Sequence, residues 1–60
     1  MNVTIEEIKK MILSGGGTYQ GIIIPKPQRH GTITQCVTYA KITAQRIYSE
    51  NQEIFKQFNQ

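Results

Sequence analysis

Lys26, Arg29 and His30 fall close together in the run Pro25-Lys26-Pro27-Gln28-Arg29-His30-Gly31-Thr32. Two cations and an imidazole at that spacing can hold an anion, and the Arg29 guanidinium can grip a phosphate with two N–H bonds. The run leads into Thr32 and Gln35, a T-x-x-Q capping box. The first N–H groups of the helix it opens, with the positive end of the helix dipole, add to the same potential. Tyr19 and Tyr39 supply flat rings on which an unpaired base can stack. Lys41 adds a further cation and shares a helix face with Thr38 by i, i+3 spacing. The candidate ligand contacts are therefore Tyr19, Lys26, Arg29, His30, Thr32, Tyr39 and Lys41. The plain alternatives are a solvated basic surface and, for Tyr39 and Tyr48, a place at the margin of a core.

Catalysis finds no comparable set. His30 and Cys36 are the only histidine and the only cysteine. Neither has an acid near it in sequence to orient it, and nucleophilic catalysis needs a base and an orienter. The expectation is a protein that binds and does no chemistry. Structural zinc takes about four ligands, which one Cys and one His do not supply. No metal or cofactor is expected.

The stretch Ser14-Gly15-Gly16-Gly17 has the glycines of a phosphate loop. Such a loop leads into a helix N-terminus, where free N–H groups meet the anion. Here the glycines follow a helix, and no Gly-Lys-Ser/Thr ending is present. They read as a helix stop and hinge, with Gly15 in the left-handed conformation.

Charge and length narrow the partners. The 60 residues carry seven Lys and Arg against four acids, a net charge of +3. Glu6, Glu7, Glu50 and Glu53 sit near the two ends, and no acid occurs between Ile8 and Ser49. Lys9, Lys10, Lys26, Arg29, Lys41 and Arg46 fall in that gap. The middle of the chain is a positive field that favours an anionic partner. A lone cysteine fits a reducing compartment. The polar start MNVTIEEIKK lacks the apolar region of a signal peptide. The longest apolar run, Ile22–Ile24, is far too short to span a membrane. The expected setting is the cytoplasm, with no membrane partner.

The elements that must position these residues are predominantly helical. One domain is expected over 1–60, with a short helix over about 4–14, an extended connector over 15–31 and a long helix over about 32–58. Thr4 and Glu7 form a T-x-x-E capping box, and Val3 and Ile8 form a hydrophobic staple. Ile5, Ile8, Met11 and Ile12 make one apolar stripe. Thr18 to Ile24 reads as a single extended segment that Pro25 and Pro27 end. One strand must pair with a copy in another subunit or lie over the helices. The long helix, about 39 Å at 1.5 Å per residue, carries a heptad seam. Val37, Ala44, Asn51 and Phe58 take position a, and Ile33, Ala40, Ile47 and Ile54 take position d. The short helix covers about half of that seam, so the expectation is a homo-oligomer built on these eight residues. Asn51 at an a position is expected to fix register.

Pro25-Lys26-Pro27 followed by Ala40-Lys41, Ala44 and Ile47 resembles the opening of small phage-encoded helical proteins of the anti-CBASS sponge type. The resemblance covers about 23 residues. It implies an oligomer that sequesters a cyclic oligonucleotide and does no chemistry, with Lys26 and Lys41 as phosphate contacts. Two other functions stay open. One is a phage or mobile-element protein that inhibits or regulates a host protein through its helical surface. The other is a nucleic-acid-binding regulator, for which the charge is low and no helix-turn-helix is legible.

Overall fold

The structure, a computed structural model, describes residues 3–27 and 31–58. It contains three helices and one two-stranded sheet: α1 (Ile5–Leu13), β1 (Gly17–Tyr19), β2 (Ile22–Ile24), α2 (Ile33–Glu50) and α3 (Gln52–Phe58).

Both helix starts follow their caps. The Thr4 hydroxyl accepts from the Glu7 N–H at 3.2 Å, and Glu6 and Glu7 occupy the first turn of α1, where the dipole favours acids. Val3 and Ile8, the two ends of the staple, are both buried. At α2 the box closes in both directions. The Thr32 N–H donates to Gln35 Oε1 at 2.8 Å, and the Gln35 N–H donates to Thr32 Oγ1 at 3.2 Å.

The glycine run ends α1. Gly15 donates to the Ile12 carbonyl and Gly16 to the Met11 carbonyl, at 3.1 and 2.9 Å. Those two bonds, with Ser14 as the cap and Gly15 at φ 113°, make a Schellman motif. Gly16 also meets the far side of the sheet. A Cβ on it would stand 2.6 Å from the Ile24 carbonyl oxygen and 2.8 Å from that of Pro25. At Gly16, though not at Gly15 or Gly17, the turn is held against backbone, which limits the run as a hinge.

The connector is folded back on itself, a correction to the single extended segment expected over Thr18–Ile24. β1 and β2 pair antiparallel, with Gly17 opposite Ile24, Thr18 opposite Ile23 and Tyr19 opposite Ile22. Gln20 at φ 54° and Gly21 at φ 80° make the two-residue turn. Positive φ at both central positions is the geometry that suits the twist of a hairpin. The strand finds its partner within the chain and requires no second subunit. Ile24 faces the core while Ile23 points outward, as pleating demands.

The long C-terminal helix is present as α2 followed at once by α3. The two are divided at Asn51, which has φ −122° and ψ 25° and caps α2. Its side-chain amide donates to the Ile47 carbonyl at 2.8 Å. Asn51 thus acts on its own backbone, where the heptad reading gave it a role in register.

The core is Val3, Ile8, Ile12, Ile24, Ala40, Ala44 and Phe55, with Ile5, Met11, Tyr19, Ile22, Ile47 and Tyr48 packed against it. Ala40 and Ala44 present almost no side chain, so α1 can lie close against α2. Phe55 lies outside the a/d seam. It occupies the e position one heptad after Tyr48, and the two rings stack with centroids 5.3 Å apart. A globular helix buries a wider stripe than the strict two-position seam of a coiled coil.

The seam itself is divided. Ala40 and Ala44 are buried, Ile47 and Asn51 are partly covered, and Ile33, Val37, Ile54 and Phe58 remain exposed. Length explains the division. The nine residues of α1 span about 14 Å and the eighteen of α2 about 27 Å at 1.5 Å per residue. No helix among the described residues is long and apolar enough to cross a membrane.

Candidate functional site

Gly15 turns the chain at the end of α1, and Pro25 and Pro27 turn it again after β2. An open cleft lies between the two turns. It is lined by Leu13, Ser14, Gly15, Lys26 and Pro27 and has a volume of about 530 Å³. Lys26 is exposed and is the only cation lining it among the described residues. Of the described residues expected to bind a ligand, the cleft takes Lys26 alone. Leu13, Ser14, Gly15 and Pro27 were not legible as cleft residues, because each reads locally as helix end or strand stop.

The electrostatics of the cleft are mixed. Lys26 brings a full positive charge on a flexible stem. The end of α1 brings the negative end of a helix dipole. Part of that potential is already satisfied, since the carbonyls of Lys10, Met11 and Ile12 accept from Ser14, Gly16 and Gly15. The Ser14 hydroxyl adds a neutral donor to the lining.

The start of α2 lies near the cleft by chain length. Gly31 follows Pro27 by four Cα–Cα steps, a reach of at most about 14 Å. Thr32 is exposed there, but its capping box uses its own N–H and that of Gln35. The N–H groups of Ile33 and Thr34 are the first-turn donors the box leaves unused. Arg29 and His30 lie outside the described residues.

The remaining candidates scatter. Tyr19 is half-buried against the core, and its hydroxyl is buried with no hydrogen-bond partner. Less of its ring is open to a ligand than a stacking platform offers. Tyr39 and Lys41 are both exposed on α2. Two residues apart on a helix, they point to different sides and do not converge. Lys9 is held by Glu6 in an ion pair at 3.0 Å, which lowers its share of the positive field. Among the described residues, no group of three or more His, Cys, Asp and Glu side chains gathers in metal-binding geometry.

A second feature of the surface is apolar. Ile42 is 53% exposed, Tyr39 is 40% exposed, and both share the side of α2 that carries Arg46. That side faces away from Ala40 and Ala44. No protein family, curated protein or solved structure matches this chain.

Proposed function

We propose that this chain is a small, non-catalytic binding protein that works as an oligomer and holds an anionic, nucleotide-type ligand. The sponge role implied by the resemblance belongs to this proposal. One observation carries it: Lys26 stands exposed on an open cleft, within a long acid-free span, a short reach from the start of α2. A phosphate at that cleft meets the Lys26 ammonium and the Ser14 hydroxyl. The unused N–H groups of α2 extend the same positive potential.

The test is a thermal-shift screen of cyclic dinucleotides, cyclic trinucleotides and pyrophosphate, followed by calorimetry on the wild type and Lys26→Ala. Loss of one charged hydrogen bond costs about 1.5–3 kcal/mol, so Lys26→Ala should weaken binding by roughly tenfold or more. Unchanged affinity moves the site away from the cleft. No binding by the wild type removes the nucleotide reading.

A protein ligand is the second reading, and the side of α2 with Tyr39, Ile42 and Arg46 favours it. Tyrosine and arginine around an exposed aliphatic are the residues that anchor protein interfaces. In that case Ile42→Asp abolishes capture of the partner while leaving the fold intact.

A further inference from the structure

The Schellman motif at the end of α1 leaves two carbonyls over. A helix ends with four carbonyls that have no partner inside it. In α1 they belong to Met11, Ile12, Leu13 and Ser14. Gly16 donates to Met11 and Gly15 to Ile12. Among the described residues, no N–H donates to the carbonyl of Leu13 or of Ser14. Both of these residues line the cleft. Helix-end carbonyls of this kind are served by solvent or by a ligand, and the negative end of the dipole strengthens them as acceptors.

The cleft therefore combines two unlike kinds of polar group. Lys26 is exposed, has no ion pair among the described residues, and suits an anion. The carbonyls of Leu13 and Ser14 suit N–H donors and repel an anion. The Leu13 side chain, 39% exposed, and the half-buried Pro27 supply apolar wall. A ligand that uses all of this is anionic in one part and carries N–H donors in another, on a body with apolar faces.

We propose that the cleft selects a guanine nucleotide, with phosphate on Lys26 and the Watson–Crick edge of the base on the carbonyls of Leu13 and Ser14. This deepens the ligand reading proposed above and rests on it. The donor pattern of the bases carries the choice. Guanine presents N1–H and its 2-amino group side by side, two donors for two carbonyls. Its O6 lies next to them and can accept from the Ser14 hydroxyl. Adenine and cytosine each present one amino group beside a ring-nitrogen lone pair, which would face a carbonyl. Uracil presents a single N–H between two oxygens. Bases read at this edge are told apart by such donor and acceptor patterns, and a polar group left facing its like loses affinity. The cleft volume of about 530 Å³ lies within the range of small-molecule sites, about 300–1,000 Å³.

Calorimetry of the full chain with the 5′-monophosphates of guanosine, inosine and adenosine tests this. Inosine lacks only the 2-amino group of guanosine, so its nucleotide should bind about threefold to tenfold more weakly. The adenosine nucleotide should be weaker again. Cyclic di-GMP should exceed cyclic di-AMP in the same way. Lys26→Ala should weaken all of them by a similar factor and keep the order, because it removes only the phosphate contact. In NMR, the carbonyl-carbon resonances of Leu13 and Ser14 should move with the guanosine nucleotide and move less with the adenosine one. Equal affinities that all fall in Lys26→Ala keep the nucleotide reading and overturn guanine selection. A preference for adenosine, or a guanine preference with both carbonyl resonances unmoved, overturns it too. Binding of none of these nucleotides by the wild type removes this inference together with the reading it rests on.

Discussion

Gly16 and Gly21 form a matched pair that isolates one packing contact. Their φ values are 79° and 80°, so an alanine at either pays the same left-handed strain. That strain costs about 1–2 kcal/mol. The surroundings differ. A Cβ on Gly21 meets nothing within 4 Å, while one on Gly16 lands 2.6 Å from the Ile24 oxygen, 2.8 Å from the Pro25 oxygen and 2.9 Å from the Pro25 carbonyl carbon. All three neighbours are backbone, so no side chain can swing away. Relief requires the end of β2 to move from the end of α1, or the Gly16 bond to Met11 to break. Overpacking of that kind costs a further 1–3 kcal/mol, roughly. Gly16→Ala should then lose about 2–5 kcal/mol, against about 1–2 kcal/mol for Gly21→Ala. A 60-residue domain has a total of about 3–9 kcal/mol, so Gly16→Ala should leave a large unfolded fraction at room temperature. Urea titrations followed by far-UV circular dichroism, at one protein concentration to hold any association constant, give both numbers. Equal losses at the two positions would refute the close approach of Gly16 to the sheet.

Two further substitutions test side chains whose roles changed between sequence and structure. Tyr19→Phe removes a buried hydroxyl that has no partner, and relieving that desolvation should stabilise the fold by about 1 kcal/mol; a clear loss in the thermal melt would mean the hydroxyl is bonded. Asn51→Ile removes the amide bond to the Ile47 carbonyl and should cost about 1 kcal/mol in urea unfolding, whereas a gain would favour the continuous heptad helix.

The sequence by itself determined the punctuation of this fold. Thr4, Thr32 with Gln35, and Gly15 set helix ends through bonds that span three to five residues. Interactions that short are complete within the local sequence, so residue type and spacing are enough to read them. The hairpin was less legible. Gln-Gly is a poorer turn signal than Asn-Gly or Asp-Gly, and the apolar run Ile22–Ile24 hides the pleat that sends Ile23 outward. Only the tertiary structure decided which apolar residues are core. Ile33 and Ala40 share one seam, and α1 is too short to reach both. Phe55, at an e position, is buried in the same cluster as Val3, Ile8 and Ile12, with Tyr48 stacked on it. The cleft is tertiary as well. Ser14 and Lys26 are far apart in sequence, and they line one space because Gly16 lets the backbone after β2 pass within a Cβ's breadth of the end of α1.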